Sequence, residues 1–396
     1  MKCYLGDVCH FYSGTGFPVD YQGKTSGELP FYKVGDISNN TIAGNTRLSM
    51  CSNYVSRQEA NELKGSILPP DTVVFAKIGE ALKLNRRAIT KCDCLVDNNV
   101  MGIAPNPEVL RIDYFFYFMK QLRMQDLAES TTVPSVRKSK LERVEITVPS
   151  MEEQIEIEWK LQVTDGIIQK RQQQLSALDD LIIARFVEMF GDPRINPYGW
   201  HEESISSVLR EKASNGFFAK REEYTDIGNV AVLGVAYVVN RMYSQVTDLP
   251  RTNATENDIQ KYQVRYGDML FCRSSLVAEG IGKASIVPED TPDNTLFECH
   301  VIRIPLDLGK CIPEFMQVLS TTDYFRKQII AQAKTATMTT ISQEGILKAN
   351  IILPPFAKQK EFYSFVKQID KSKSVIQKSL DETQRLFDSL MQEYFG

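Results

Sequence analysis

The sequence predicts an α+β protein built as an internal repeat: two mixed α/β domains, each followed by a long helix, with the two helices pairing as an antiparallel coiled coil. Three observations predict it. Setting Phe395-Gly396 over Phe190-Gly191 gives an offset of 205 residues (395 − 190), which also lays Gln359 on Gln154, Asp370 on Asp165 and Leu380 on Leu175. The same offset lays Ile351-Ile352-Leu353-Pro354 on Ile146-Thr147-Val148-Pro149, so a strand-like run ending in proline precedes each helix. Both helical stretches carry apolar residues at heptad spacing. The boundaries that follow are a first domain over 1–149, a first helix over 150–191, a second domain over 192–354 and a second helix over 355–396.

In the second helix Phe362, Val366, Ile369, Ile376, Leu380, Phe387, Leu390 and Tyr394 fall at alternating steps of three and four, with Lys373 and Thr383 as polar interruptions. In the first, Leu161, Ile168, Leu175, Ile182 and Met189 recur every seven residues. Their companion series, Ile157, Thr164, Arg171, Leu178 and Arg185, is only half apolar, so the first seam is the weaker. A helix of roughly 35 residues is about 50 Å long, longer than a small domain is wide, and reads as a spacer. Neither helix buries its stripe alone, and an antiparallel pair related by a pseudo-two-fold axis is the closed solution.

Within the first domain, Phe31-Tyr32-Lys33-Val34 reads as a strand closed by Gly35-Asp36, and Leu68 to Lys77 as a turn followed by a buried strand. Lys83, Arg86 and Arg87 cluster next. Asn99 to Ala104 is another strand, and Ile112 to Gln125 an aromatic-rich core helix. A loop with Thr131, Thr132, Ser135, Arg137, Lys138 and Lys140 leads to the last strand. The second domain repeats this order. Tyr266 to Arg273 parallels the Asp71 to Lys77 strand, His300 to Ile304 parallels Asn99 to Ile103, and Thr335, Thr337, Thr339 and Thr340 parallel the earlier threonine-rich loop. The scaffold repeats and the loops differ, which suits two modules reading two ligands. Gly191-Asp192-Pro193 through Pro197-Tyr198-Gly199-Trp200 is the linker, since glycine suits a helix end and the prolines block continuation.

Composition narrows the function classes. Of 396 residues, 43% are hydrophobic and 24% charged, which is ordinary for a soluble globular chain. No run of eighteen apolar residues and no leader follows Met1, so neither a membrane span nor secretion is expected, and the expected location is the cytoplasm. Among eight cysteines only Cys92-Asp93-Cys94 is a close pair, too few for a four-ligand zinc site. The formal net charge of −4 does not advertise nucleic acid, although basic residues are clustered locally. Gly23-Lys24-Thr25 lacks the earlier glycine of a phosphate-binding loop, where Pro18 stands. Leu353-Pro354-Pro355-Phe356 is close to the Asn-Pro-Pro-aromatic motif of amino-methyltransferases, but leucine cannot accept the hydrogen bond that the asparagine would. Three histidines, His10, His201 and His300, accompany no recognisable nucleophile. No catalytic role is expected.

Pro149 to Gln154 and Pro354 to Gln359 share the pattern Pro-x-x-x-x-Gln at a helix start, and Phe190 to Trp200 reads Phe-Gly-Asp-Pro-x-x-Asn-Pro-x-Gly-Trp. With Ser13-Gly14-Thr15-Gly16-Phe17-Pro18 and Leu29 to Ile37 at the start of the chain, these segments resemble the specificity subunit of type I restriction-modification enzymes. The opening of the second domain departs from that pattern. The resemblance implies two target recognition domains, each reading one half of a split double-stranded DNA sequence. It implies that the paired helices set the gap and dock two methyltransferase subunits, with a motor-nuclease restriction subunit completing the complex. S-adenosylmethionine would bind the partner methyltransferase and no cofactor this chain. The DNA contacts expected on this basis are Lys33, Lys77, Lys83, Arg86, Arg87, Arg137 and Lys138 in the first domain, and Lys220, Arg221, Arg273, Ser274 and Lys283 in the second. Two other readings compete: a non-enzymatic adaptor whose domains bind protein or carbohydrate, and a methyltransferase with a degenerate motif.

Overall fold

The computed structural model describes residues 1–129, 133–335 and 337–396. It divides into two compact units, Met1–Gln173 with Gln377–Gly396, and Gln174–Ile376. In chain order the first unit contains β1 (Cys9–Ser13), β2 (Leu29–Tyr32), α1 (Val34–Ile42), β3 (Val73–Ala76), β4 (Arg87–Ile89), β5 (Leu95–Val96), β6 (Val100–Pro105) and α2 (Ile112–Gln121). The long helix α3 (Met151–Phe190) follows. The second unit contains β7 (Val230–Leu233), α4 (Val235–Val238), β8 (Asp268–Cys272), β9 (Ala284–Ile286), β10 (Thr295–Phe297), β11 (Val301–Pro305) and α5 (Pro313–Thr321), and the chain ends in α6 (Phe356–Phe395).

The two units use one topology. In the first, an antiparallel sheet runs β1-β6-β3-β4, and β2 pairs parallel with β5 and antiparallel with Tyr54–Val55. In the second, Ser214–Asn215, β11, β8 and β9 form the four-stranded sheet, while β7 pairs parallel with β10 and antiparallel with Arg251–Thr252. The central strands β3 and β8 are buried on both faces. Val73 and Phe75 face the core under α2 while Val74 joins Tyr32, Leu68 and Val96 on the other side. Met269 and Phe271 face α5 while Leu270 joins Leu233 and Phe297. This is why both strands read as unbroken apolar runs rather than as alternating ones.

One expected strand differs. The stretch from Phe31 to Val34 is a strand only to Tyr32, and Val34 opens a helix because Asp36 turns back to accept the Lys33 backbone N–H at 2.8 Å. The expected helix from Ile112 to Gln125 ends at Gln121, and Met124–Leu127 is a separate turn of 3₁₀ helix.

Each long helix has 40 residues, and the two run antiparallel within each unit. In the first unit Leu161 and Ile168 of α3 pack with Phe387 and Met391 of α6. In the second, Ile182, Phe186 and Phe190 pack with Phe362, Val366 and Ile369. Leu175, Met189, Ile376, Leu380 and Leu390 are half-buried. Phe186, Phe190 and Met391 fall outside the expected seven-residue series. The buried stripe of α3 steps by four from Ile182 to Phe186 to Phe190, which turns it toward α5, where Phe315 meets Phe190 edge-to-face at 4.9 Å and stacks on Phe186 at 5.5 Å. Phe395, at the end of α6, meets Tyr114 and Phe118 of α2 in the same way, at 5.1 and 6.1 Å. The polar interruption at Lys373 is an ion pair to Asp179 of α3 at 2.6 Å.

The repeated glutamine is a clamp. Gln154 accepts the Arg111 N–H at 2.8 Å and donates to the carbonyls of Val109 and Pro149. Gln359 accepts the Ile312 N–H at 2.9 Å and donates to Lys310 and Pro354. Both are fully buried, so every polar atom of the amide must be satisfied, and the identical partners tie each helix start to the helix preceding it in the core. After α3, Gly191 adopts φ +77°, where an added Cβ would lie 2.3 Å from Pro197 Cγ. Trp200 then donates its indole N–H to the Phe190 carbonyl at 2.9 Å, closing the helix end.

Candidate nucleic-acid interface

In each domain the residue after the central strand of the four-stranded sheet meets the loop that the sequence marks as rich in hydroxyls. In the first unit the Lys77 N–H donates to the Asn99 carbonyl at 2.8 Å, and the Lys77 carbonyl accepts from the Val136 N–H at 2.9 Å. Ile78 and Ser135 form the adjoining bridge. In the second unit the Arg273 N–H donates to His300 at 2.8 Å, and its carbonyl accepts from the Ile341 N–H at 3.0 Å. Ser274 and Ser275 pair there with Thr340 and Thr339. Lys77 and Arg273 are therefore equivalent, each projecting from the end of a buried strand beside a hydroxyl-bearing loop. Rigid strand ends holding cations and hydroxyls on adjacent loops are what phosphate positioning and base-edge reading need.

Lys77 and Arg86 are half-buried, and their side chains have no hydrogen-bond or ion-pair partner among the described residues. Arg137 pairs with Glu129 at 2.7 Å, Lys138 with Glu142 at 3.6 Å and Lys83 with Glu80 at 2.7 Å. Such exposed pairs are worth about 0–1 kcal/mol each, so a phosphate can displace the carboxylate at little cost. They also explain how a chain of net negative charge can keep its cations available. Thr131 and Thr132 lie outside the described residues. Lys33 is drawn inward, with Nζ 2.6 Å from Gln22 Oε1 and over the Phe17 ring. In the second unit Lys220 and Arg221 are exposed, Arg273 Nη1 donates to the Cys299 carbonyl at 3.1 Å, Ser274 Oγ lies 3.3 Å from His300 Nδ1, and Lys283 donates to Asn240 Oδ1 at 2.7 Å.

Arg87 is a correction. It lies 4% exposed within β4 and donates through Nη2 to Asn85 and to the Leu122 carbonyl at the end of α2. Its Nε and Nη1 have no partner among the described residues, and burial pushes the guanidinium pKa down to about 9. Position in a basic run suggested the surface. The strand instead places this side chain beneath the end of α2, where it serves as a helix cap. Arg87→Met, which keeps the apolar stem but removes the donor to Asn85 and to the Leu122 carbonyl, is expected to destabilise the first unit by about 1–3 kcal/mol. It should leave the salt dependence of DNA binding unchanged, whereas Lys77→Met should lower its slope by about one. Denaturant titration and binding isotherms at several salt concentrations check the pair.

Two features escaped the sequence. An added Cβ at Gly14 would lie 1.8 Å from the Asp97 carbonyl oxygen, and one at Gly216 2.2 Å from that of Glu298. Thr15 and Phe217, the next residues, make the equivalent parallel bridges to Asp97 and Glu298. The second domain thus opens as the first does, on a glycine that permits close backbone approach. Only the glycine survives in the sequence, too little to detect. His300, which accompanies no recognisable nucleophile in the sequence, borders Arg273 and Ser274.

Among the described residues no group of three or more histidine, cysteine or acidic side chains could hold a metal ion, and no helix is long and apolar enough to cross a membrane. Residues 1–177 match the family described as the type I restriction modification DNA specificity domain. The chain is 22% identical over 397 residues to the type I restriction enzyme MjaIX specificity subunit of Methanocaldococcus jannaschii, covering 92% of this chain and 85% of that one. It is 21% identical over 388 residues to the StySPI specificity subunit of Salmonella potsdam, covering 92% and 80%. Its fold is similar to the crystal structure of a type I restriction-modification S subunit from M. genitalium, with a TM-score of 0.53 at 12% identity over all of this chain and 96% of the other. Matched domain, relatives and fold point the same way: the chain is similar to the specificity subunits of type I restriction-modification systems.

Proposed function

We propose that each domain reads one half of a bipartite DNA target and that the paired helices set the gap between the halves. The observation that carries this reading is the duplicated ladder at Lys77 and Arg273, which sets a cation beside Ser135 in one unit and beside Ser274, Thr339 and Thr340 in the other, while the loops themselves differ. One scaffold with two loop chemistries suits two unlike half-sequences. The chain is a non-catalytic subunit. Two methyltransferase subunits dock on the helices, and a motor-nuclease subunit completes the complex. S-adenosylmethionine is held by the methyltransferase, whose target adenine must leave the stack to be reached. An exposed stripe on α3 supports the docking: Ile155, Trp159, Val163 and Ile167 recur every four residues and stay uncovered, Trp159 at 62% exposure. A contiguous apolar stripe on a solvated helix marks a protein interface.

The test is to co-express the chain with the methyltransferase encoded beside it and to map methylated adenines in the host DNA. A split motif with a fixed gap, lost when this chain is deleted, is the expected result. In vitro, affinity should fall steeply as salt rises, because phosphate contacts release counterions. An assembled complex that methylates nothing in a chain-dependent way would instead support a protein- or carbohydrate-binding adaptor.

A further inference from the structure

A cleft of about 480 Å³ opens in the second domain beside the Arg273 ladder, and the functions assigned so far do not use it. Phe218, Tyr224, Tyr237 and Glu298 line it. The Phe218 ring is 68% exposed, an uncommon state for a large apolar side chain on a concave surface. Glu298 is fixed in place, because its Oε1 accepts the Val235 N–H at 2.8 Å at the start of α4, and its Oε2 has no partner among the described residues. Arg221 lines the cleft as well, and so does His300, which contacts Ser274. The neighbouring Cys299 carbonyl holds the Arg273 guanidinium.

These features select a ligand class. Aromatic walls with one unbonded carboxylate oxygen among them fit a planar ring that bears an amino group. Arg221 in the same lining offsets the Glu298 charge, which disfavours a cationic guanidinium or ammonium and favours a ring attached to phosphates. We propose that this cleft receives a single nucleobase turned out of the duplex, with Phe218 as its stacking face and Glu298 Oε2 accepting from the exocyclic amine of cytosine or adenine. The inference rests on the DNA-reading function above and assigns a reading mode to the second domain alone. In the first domain the equivalent bridge at Thr15 is followed by Gly16 in place of Phe218, and the shorter Asp97 stands where Glu298 does. The nearby Phe17 is stacked on Phe31 at 3.7 Å and offers no open face. The two half-sites are then read by different physical means.

The test uses the assembled complex with its methyltransferase and a duplex carrying the mapped target. At each position of the half-sites in turn, the opposite base is replaced by an abasic residue and the dissociation constant is measured. Where a base is extruded no pair remains to be broken, so binding should tighten on the order of tenfold. The adenines flipped for methylation should show this gain in every variant. One further position is expected to show it in the wild type, to lose it in Phe218→Ala, and to lose part of it in Glu298→Gln, which keeps the bond to Val235. If the complex binds its target but no position beyond those adenines tightens, or if the extra gain persists in Phe218→Ala, the inference is overturned while the DNA-reading function stands. A complex that binds no DNA overturns that function itself.

Discussion

Removing one heptad from the centre of each long helix, Arg171–Ala177 and Val375–Asp381, is expected to shorten the gap in the methylated motif while leaving both half-sequences as they were. Seven residues carry on the order of 10 Å of helix, the rise of about three base pairs. Seven residues are also close to two full turns, with a drift of only about 20°, so the apolar faces stay in register. The pairing of the helix ends survives, because Leu161 and Ile168 still meet Phe387 and Met391 in one unit, and Ile182 and Phe186 still meet Phe362 in the other. Three base pairs also turn one half-site by roughly 100° about the DNA axis, so methylation at the new gap should be weaker than in the wild type. Methylation mapping in a host lacking the native chain measures gap and half-sequences together. An unchanged gap would mean that domain contacts, not helix length, set the spacing; altered half-sequences would mean that the helices take part in reading.

Phe190→Ala is expected to destabilise the second unit by about 3–5 kcal/mol, the range for deleting a fully buried aromatic ring. Phe190 is completely buried and its ring lies 4.9 to 5.6 Å from those of Phe186, Phe315 and Phe362, so three elements lose a shared contact at once. The same change at its repeat partner, Phe395→Ala, should cost clearly less. Phe395 touches Tyr114 and Phe118 but remains half-buried, so the void can open to solvent. Urea unfolding of the two variants, followed in parallel, decides it. Equal losses would mean that the two helix ends dock equivalently despite their different burial.

The duplication, the two helices and their antiparallel pairing were all legible in the sequence, because an ungapped register and a heptad stripe are properties of consecutive residues. Gln154 and Gln359 were legible as repeated positions, though not as clamps. Their role depends on backbone groups some forty-five residues away, at Val109 and Arg111 and at Lys310 and Ile312. The equivalence of Lys77 and Arg273 could also be read from strand pattern, and the structure adds what lies beside each. Burial of individual charges could not be read. Arg86 and Arg87 are neighbours in one basic run, yet Arg87 opens β4, all three of whose residues are buried, while Arg86 precedes the strand and stays half-buried, and only the packing of the sheet against its neighbours decides this. Phe186 and Phe190 leave the heptad series for the same reason: a helix pattern records which residues share a stripe, whereas the partner that covers the stripe is set by the domain the helix ends on. Local periodicity determined the repeat and the helices. Long-range contact decided which side chains remain available to DNA, because burial is a property of what the fold brings near.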